Sequence, residues 1–396
     1  MTIGILKEPI YETRVSLLPE AVATLTKKAR QPDRTGTDRN DNVGKGITVW
    51  VEKDAGNKAY CTDADYENAG ASIKERNEVL HSSDIFLSIN KPDQTEIINL
   101  KSKIVIGVYH PLFNADLMKQ WAAAGITSFS LDMLPRTTRA QTMDILSSQA
   151  NIAGYKAVLT AANLYSRYFP MFMTAAGTII PAKVLILGAG VAGLQAIATA
   201  RRLGAVVEVF DTRPAVKEEV ISLGAKFVEV EGAADASKAG GYAVAQSQEF
   251  MQRQQAKIGE SIAKADIVIT TAQIPGVKAP ILITEEMIKA MRHGSVIIDI
   301  AAATGGNTPV TKNNETIVYN GVSIVGNSNL PATMPSDASK VYGKNVLNFL
   351  QLIITKEGRL NLNWEDDLVK GSCITHDGKV VNERVSALTP PVGGGT

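Results

Sequence analysis

Short apolar runs alternate with helical patterns through the first third of the chain. The runs that predict β-strands are residues 3–6, 47–51, 85–89, 104–108 and 126–130. The segments between them that predict helices are residues 22–28, 63–69 and 117–124. Strands that alternate with helices in this way form mainly parallel sheets. The pattern therefore predicts an α/β domain, interrupted at residues 29–45 by a polar, charged stretch that we interpret as a surface loop.

A second series of apolar runs begins near residue 182. The predicted strands of this series are residues 184–187, 205–210, 226–230, 267–270, 296–300 and 323–326. A helical pattern over residues 336–355 follows, and we interpret it as returning to the first domain. These boundaries predict a discontinuous N-terminal domain, residues 1–137 plus 331–396, and a second domain over residues 138–330.

The segment between the two series predicts a connection and a contact surface. Residues 138–167 form a helical pattern without proline, about 45 Å long at 1.5 Å per residue, which is enough to connect two domains. Residues 168–181 contain apolar runs broken by glycine and proline, a pattern typical of an irregular hairpin. Because this segment is so apolar, we expect it to contact another subunit or domain.

The most specific motif opens the second series. The apolar run is followed by Gly188, Gly190 and Gly193 at the G-x-G-x-x-G spacing, then by an alanine-rich helical pattern and a second apolar run that ends at Asp211. In a dinucleotide site the first glycine permits a tight turn, the second admits the pyrophosphate, and the third lets helix and strand pack closely. The helix N-terminus offers N–H groups to the phosphates. Together the two series predict an α/β fold with two Rossmann-like domains, mainly parallel sheets and long connecting helices.

Two residues at the end of the second strand bear on the choice of nucleotide. An acid at the position of Asp211 binds the ribose 2′-hydroxyl and repels a 2′-phosphate, which favours NAD(H) over NADP(H). Arg213 is a complication, because an arginine just past the acid can bind a 2′-phosphate, but we give the acid more weight. The alternative to a nucleotide site is a glycine-rich turn that binds nothing.

Composition narrows the class of protein. The 396-residue chain has a net charge of +1 and no basic block, so nucleic acid is not an expected partner. Cys61 and Cys373 show no metal or redox spacing, and the histidines are scattered, so neither a disulfide framework nor a metal site is predicted. The N-terminus does not resemble a signal peptide, and the apolar run over residues 184–200 is too short and glycine-rich to span a membrane.

A second group of polar residues lies where the first domain meets the long helical pattern. Gln141, Asp144 and Ser147 recur every three residues and would share one helix face, while Arg136 lies just before that helix. A polar face at a domain cleft could hold the carboxamide of a nicotinamide. Structural interpretations remain open, since Thr138 with Gln141 fits a capping box and Asp144 complements the helix dipole.

On these motifs, the chain resembles the NAD(H)-binding component, often called domain I, of proton-translocating NAD(P) transhydrogenase, in the alanine dehydrogenase/transhydrogenase superfamily. The resemblance covers essentially residues 1–385, and residues 29–45 depart from it. The segments that carry it are residues 135–155, 188–193, 211–218, the Gly-Gly-Tyr loop at 240–242 and residues 294–307.

The resemblance implies roles for particular residues. Arg136, Asp144 and Ser147 would surround the nicotinamide of NAD(H), and Gln141 would reach toward the nicotinamide of NADP(H) on a partner domain. Tyr242 would sit on a mobile loop that closes over the nucleotide, unless it is an ordinary exposed tyrosine. The implied cofactor-binding residues are Gly188, Ala189, Gly190, Val191, Gly193, Asp211, Thr212, Arg213, Gly241, Tyr242, Ala272 and Gln273.

The resemblance also implies partners. The hairpin segment 168–181 would form a homodimer contact. Hydride would pass directly between NAD(H) here and NADP(H) on the partner domain, coupled to proton translocation by a membrane domain. Because this chain contains one dinucleotide motif, those domains would come from elsewhere, and the chain would form a soluble domain at the cytoplasmic or mitochondrial-matrix face of a membrane.

Alanine dehydrogenase is the main alternative, because it resembles the same sequence. Arg14 matches a substrate-binding arginine, but the expected substrate lysine falls at Asn90, one residue before Lys91, and the expected catalytic aspartate falls at Ala303. His110 lies near the expected catalytic histidine but is followed by proline. Imine reduction needs such acid–base groups. Their loss argues against amino-acid chemistry.

Transhydrogenation needs none of those groups, because no proton is transferred at the reacting carbons. Such a site has only to hold two nicotinamide rings about 3–3.5 Å apart, aligned and shielded from water. A non-catalytic NAD(H)-sensing module is a third possibility, and the intact Gln141 group counts against it.

Overall fold

The structure, a computed structural model, describes residues 1–26, 46–97, 100–230 and 247–388. In chain order the strands are β1 Thr2–Ile5, β2 Thr48–Glu52, β3 Ser72–Lys74, β4 Ile85–Leu87, β5 Ile104–Gly107, β6 Thr127–Ser130, β7 Phe172–Thr174, β8 Gly177–Ile179, β9 Lys183–Leu187, β10 Val206–Phe210, β11 Lys226–Phe227, β12 Ile267–Thr270, β13 Val296–Asp299, β14 Thr316–Tyr319, β15 Val322–Val325, β16 Cys373–His376 and β17 Lys379–Val380. The α-helices are α1 Pro19–Thr26, α2 Asp63–Asn68, α3 Arg76–Ser82, α4 Gln94–Ile97, α5 Ala115–Ala123, α6 Ile145–Leu164, α7 Val191–Arg202, α8 Lys217–Ser222, α9 Gln248–Ile262, α10 Glu285–Lys289, α11 Pro335–Ile353, α12 Asp367–Ser372 and α13 Glu383–Ser386.

The chain divides into two compact units. Unit 1 comprises Met1–Gln149 and Met334–Thr396, and unit 2 comprises Ala150–Thr333. The division therefore falls after Gln149, not at residue 138. The residues in between stay with unit 1 because the 3₁₀ helix Thr138–Met143 packs on α11.

Unit 1 is built on an eight-stranded sheet with the order β17-β16-β6-β5-β4-β1-β2-β3. Strands β1 to β6 are parallel to one another, and β16 pairs antiparallel with β6 at one edge. Apolar side chains cover both faces of the sheet: Ile5 and Phe349 belong to one buried cluster, and Phe86 and Trp121 to another. The six parallel strands follow the Rossmann order, in which β1 and β4 lie side by side at the reversal.

Unit 2 is built on a seven-stranded sheet with the order β11-β10-β9-β12-β13-β15-β14. All its pairs are parallel except β14 with β15. In β9, Val184 and Ile186 join one core cluster while Leu185 and Leu187 join the other. Burial of both faces explains why this strand reads as one continuous apolar run. The two sheets confirm the predicted α/β fold class.

Two expectations for the connecting segment have different outcomes. The single long helix over residues 138–167 is wrong: the 3₁₀ helix Thr138–Met143 ends at Asp144, whose ψ of 89° turns the chain before α6 begins. The expected hairpin is present as the antiparallel pair β7–β8. Its side chains are exposed, with Met173 69% accessible. Across the described ranges, none of the helices is both long and apolar enough to cross a lipid bilayer.

Candidate functional site

The three motif glycines form the turn between β9 and α7, and each has its own structural reason. Gly188 has a φ of +108°, and a Cβ there would lie 2.3 Å from the Thr271 hydroxyl oxygen. A Cβ on Gly193 would lie 1.9 Å from the Gly188 carbonyl oxygen, so this close approach of helix and turn excludes any side chain. At Gly190, by contrast, an ideal Cβ would meet nothing within 4 Å.

The turn leaves the N-terminus of α7 open for an anion. Gly190 is the N-cap residue, and no side chain caps the first turn. Ala189 precedes it, and the exposed Val191 opens the helix. Uncapped N–H groups and the positive end of the helix dipole are what a pyrophosphate needs. The space beside Gly190 and these donors fit the pyrophosphate of a dinucleotide.

Asp211 follows β10, next to this turn, and its carboxylate is held by several donors. The Ala189 N–H donates to Oδ2 at 2.7 Å. Arg213 donates its own N–H and its Nε to Oδ1, at 2.8 and 2.9 Å, and its Nη2 to Oδ2 at 2.8 Å. The hydrogen bonds to Asp211 raise the pKa of Arg213. Thr212, between the two, is half-buried.

The loop after β12 is braced by the end of β13. Asn307 donates to the Ala272 carbonyl at 2.9 Å and accepts from the Ala272 N–H at 3.2 Å, and Gln273 donates to the Ile300 carbonyl at 3.1 Å. The fully buried Asp299 accepts from the Asn307 N–H at 2.7 Å. Sequence reasoning assigned no role to Asp299 and Asn307. An acid that ends a buried apolar run was the available signal.

These residues meet at one edge of the sheet of unit 2. Strands β10, β9 and β12 are neighbours, and β9 pairs in parallel with both of the others. The chain order reverses between β9 and β12, so the carboxyl ends of these strands form a topological switch point, where open α/β sheets bind ligands. The structure thus brings together the candidates Gly188 to Gly193, Asp211 to Arg213, and Ala272 with Gln273.

The second candidate group, in unit 1, is less uniform than its spacing suggested. Asp144 caps α6 by accepting from the N–H and the hydroxyl of Ser147, at 2.9 and 2.6 Å. Gln141 is exposed on the 3₁₀ helix, and Arg136 is exposed just before it. The N-cap residue of the 3₁₀ helix is Thr137, whose side chain forms no capping hydrogen bond. The capping-box interpretation of Thr138 and Gln141 is therefore wrong, and the dipole interpretation of Asp144 is confirmed.

The 3₁₀ helix that carries Gln141 is anchored at two points. Arg139 forms ion pairs with Asp366 and Asp367 at the start of α12. The Thr142 carbonyl accepts from the side-chain amides of Asn345 and Asn348 on α11, at 2.8 and 2.9 Å.

One of these asparagines also holds the start of α6. The Asn345 carbonyl oxygen accepts from the Ser148 hydroxyl at 2.7 Å. Asn345 therefore links the two sides of the break at Asp144. A short segment with such anchors presents the exposed Gln141 on a fixed backbone.

The residues that would serve amino-acid chemistry are engaged otherwise. Arg14 and Glu12 form a buried ion pair with N and O 2.6 Å apart. Asn90 donates its amide to Glu12 at 3.2 Å and to Glu8 at 3.1 Å. His110 is 61% exposed, with its Nδ1 3.5 Å from Asp132.

Glu8 borders a cavity of about 580 Å³ in unit 1, which Asn90 also lines. Burial raises the pKa of Glu8 to about 7, against the lowering effect of N–H donors from Ile89 and Asn90. A carboxyl group with such a pKa titrates near neutral pH.

Two segments of the sequence prediction fall elsewhere. Gly241 and Tyr242, the proposed mobile loop, lie outside the described residues, as does the polar stretch 29–45. In the described residues, histidine, cysteine and acidic side chains form no cluster that could hold a metal ion.

Comparison with known proteins gives consistent matches over nearly the whole chain. Residues 4–153 match the family model "Alanine dehydrogenase/PNT, N-terminal domain" and residues 157–383 match "Alanine dehydrogenase/PNT, C-terminal domain". The chain is 43% identical over 381 residues to an NAD(P) transhydrogenase subunit alpha protein of Rhodospirillum rubrum, covering 94% of this chain and 95% of that protein. The crystal structure of transhydrogenase from Sinorhizobium meliloti superposes with a TM-score of 0.84 at 42% identity, covering 96% of this chain and 100% of that one.

The alanine dehydrogenases are more distant. The enzyme of Staphylococcus epidermidis is 28% identical, over 98% of this chain and 96% of its own length. The chain therefore belongs to the alanine dehydrogenase/PNT family, and within that family to the NAD(P) transhydrogenase subunit alpha proteins.

Proposed function

We propose that this chain is the NAD(H)-binding component of a proton-translocating NAD(P) transhydrogenase. The observation that carries the proposal is the turn at Gly190, where an open helix N-terminus and a neighbouring acid, Asp211, fit a dinucleotide without a 2′-phosphate. When bound, NAD(H) exchanges a hydride between C4 of its nicotinamide and C4 of the nicotinamide of NADP(H) on a partner domain.

The residues of unit 2 bind and orient the adenosine half of the nucleotide. The N–H groups at the start of α7 bind the pyrophosphate, since Gly190 and Val191 leave them uncapped. Asp211 selects the unphosphorylated ribose. Ala272 and Gln273, fixed by Asn307, line the next strand end. Gly241 and Tyr242 close over the nucleotide.

The residues of unit 1 orient the nicotinamide half. Arg136, Asp144 and Ser147 hold the nicotinamide carboxamide, with the Asp144–Ser147 pair already arranged by the helix cap. Gln141 extends toward the NADP(H)-binding partner and helps to align the two rings. Its exposure and the anchored backbone below it support this role. None of these groups acts as a general base, as expected for direct hydride transfer.

The partners follow from the same proposal. The relatives named as alpha subunits imply a multi-subunit enzyme. We propose an NADP(H)-binding domain and a membrane proton-channel domain as partners, with this chain at the cytoplasmic or mitochondrial-matrix face. The apolar β7–β8 hairpin is proposed as the contact of a homodimer. Met173→Asp in that hairpin should convert the dimer to monomers in sedimentation velocity.

Two measurements test the nucleotide and the reaction. Titration should give tighter binding of NADH than of NADPH, and equal or tighter NADPH binding would refute the assignment of Asp211. Mixed with an NADP(H)-binding transhydrogenase domain, the chain should catalyse hydride transfer between the nucleotides. Gln141→Asn should slow that transfer at least about tenfold and leave NADH binding nearly intact, because alignment acts on the transition state.

A matched control separates this effect from a general one. Gln120→Asn makes the same chemical change at an exposed position of α5 and should not alter the rate. An unchanged rate with Gln141→Asn would remove Gln141 from the mechanism. Oxidation of NADH by pyruvate plus ammonium, without any partner domain, would instead support alanine dehydrogenase chemistry.

A further inference from the structure

Asp211 has no acceptor capacity left in this structure. A carboxylate offers about four lone-pair positions, two on each oxygen. Oδ1 accepts from the N–H and Nε of Arg213, and Oδ2 accepts from the Ala189 N–H and Nη2 of Arg213. Each oxygen therefore has one backbone donor and one guanidinium donor. A ribose hydroxyl can donate to this carboxylate only if one of them leaves.

The backbone donors and the side-chain donors differ in how they can move. The Ala189 N–H belongs to the glycine turn, and the Arg213 N–H follows directly from the chain after β10, so both are fixed by the fold. The guanidinium can leave by rotation of its own side chain. Its departure frees one position on Oδ1 and one on Oδ2, which are the two positions that the two hydroxyls of a ribose diol would need.

We propose that the Arg213 guanidinium is an internal competitor for the ribose of NAD(H). It presents two donors to the two oxygens of Asp211, as the 2′- and 3′-hydroxyls of a ribose do, and must rotate away before the ribose binds. The inference rests on the proposed function and adds a residue that sets both the affinity and the nucleotide preference of the same site. The pair is well shielded, with the side chains of Asp211 and Arg213 only 6% and 18% exposed, so water does not weaken it much.

Competition has a defined kinetic consequence. If only the fraction of molecules with Arg213 rotated away can bind, the apparent Kd exceeds the intrinsic Kd by the inverse of that fraction. Removing the guanidinium raises the competent fraction, so the gain appears in the association rate. Removing it also leaves the charge of Asp211 unneutralised, which repels a 2′-phosphate more strongly.

The test is a set of variants titrated with NADH and NADPH. Arg213→Met keeps the length of the side chain and donates no hydrogen bond. We expect its Kd for NADH to fall at least about threefold through a faster association rate, and its Kd for NADPH to rise, so that the preference for NADH grows at least about tenfold. Arg213→Lys offers a single ammonium group and should lie between Met and the original residue.

Lys217→Met is the matched control. Lys217 lies four residues further along the chain and pairs with Glu229 rather than with Asp211, so the substitution gives the same change of charge. It should leave both Kd values within about twofold. Stopped-flow binding and thermal unfolding of each variant complete the measurement.

The outcomes separate this inference from the proposed function. If the original chain does not bind NADH, the proposed function fails. If the original chain binds NADH and Arg213→Met binds it equally or more weakly while folding normally, Arg213 positions Asp211 rather than competing with the ribose, and the inference is overturned. An equal effect of Lys217→Met would reduce the result to general electrostatics and overturn it as well.

Discussion

The three motif glycines can be distinguished experimentally, because alanine meets different surroundings at each. At Gly190 a Cβ has no neighbour within 4 Å, and the φ of −78° suits any residue. Gly190→Ala should change the free energy of unfolding by less than about 1 kcal/mol, since the reduced entropy of the unfolded chain offsets a poorer N-cap. The added methyl group, however, projects into the space that we assign to the pyrophosphate.

The magnitude for binding follows from the hydrogen bonds at the helix N-terminus. A phosphate displaced by a methyl group loses at least one charge-assisted hydrogen bond from α7, worth about 1.5–3 kcal/mol. This loss corresponds to a Kd for NADH on the order of 10–100-fold higher. Gly190→Ala should therefore lose binding and keep its stability.

Gly193→Ala should behave differently. Its Cβ would lie 1.9 Å from the Gly188 carbonyl oxygen, a backbone atom that cannot rotate away. Helix α7 and the turn must separate by more than about 1 Å, and such overpacking costs about 1–3 kcal/mol. For a domain of this size, each kcal/mol lowers Tm by about 2–4 °C.

Thermal unfolding and NADH fluorescence titration of both variants form the assay. Equal losses of Tm in the two variants would refute the claim that the space at Gly190 is open. Unchanged NADH binding by a folded Gly190→Ala chain would refute the position of the pyrophosphate.

Three further predictions concern unit 1. Asn345→Ala should lower the rate of hydride transfer more than Asn348→Ala does, with NADH binding retained, because Asn345 also links Thr142 to α6; single-turnover kinetics compare them. The pKa of Glu8 is raised from 4.5 to about 7 in the fold, so the stability that protonation provides is full below about pH 4.5 and is lost as the pH rises through 7; denaturant titrations of Glu8→Gln should lack up to about 3 kcal/mol of this dependence. Ser83→Ala should leave Tm unchanged or raise it in calorimetry, because its buried hydroxyl has no hydrogen-bond partner within the described ranges, and an unsatisfied buried group costs about 1–3 kcal/mol.

The strands and the nucleotide motif could be predicted because burial on both faces leaves a continuous apolar run in the sequence. Strand β9 shows this most clearly, since alternate side chains enter different core clusters. The glycine spacing has an equally local cause, namely contacts within a few residues of the turn. Such features depend little on distant regions of the chain.

Features fixed by distant residues could not be predicted in this way. Strand β16 gains its burial by pairing with β6, far away in the sequence, and its four residues carry no pattern of their own. The break at Asp144 depends on a choice between continuing a helix and capping a new one, and α11 settles it through the Thr142 carbonyl. The pairing of Arg213 with Asp211 is a third case, in which two adjacent charges suggested opposite nucleotides and the structure joins them.

The discontinuity of unit 1 has a consequence for biosynthesis. Helix α11 and strand β16, which fill one core cluster and close the sheet edge at β6, lie after the whole of unit 2 in the chain. At about 5–20 residues per second, the ribosome needs ~10–40 s to pass through unit 2 before these elements emerge. During this interval the edge of β6 has no partner strand from β16. We therefore expect unit 2 to fold first on the ribosome, and nascent unit 1 to be the region of the chain that chaperones protect.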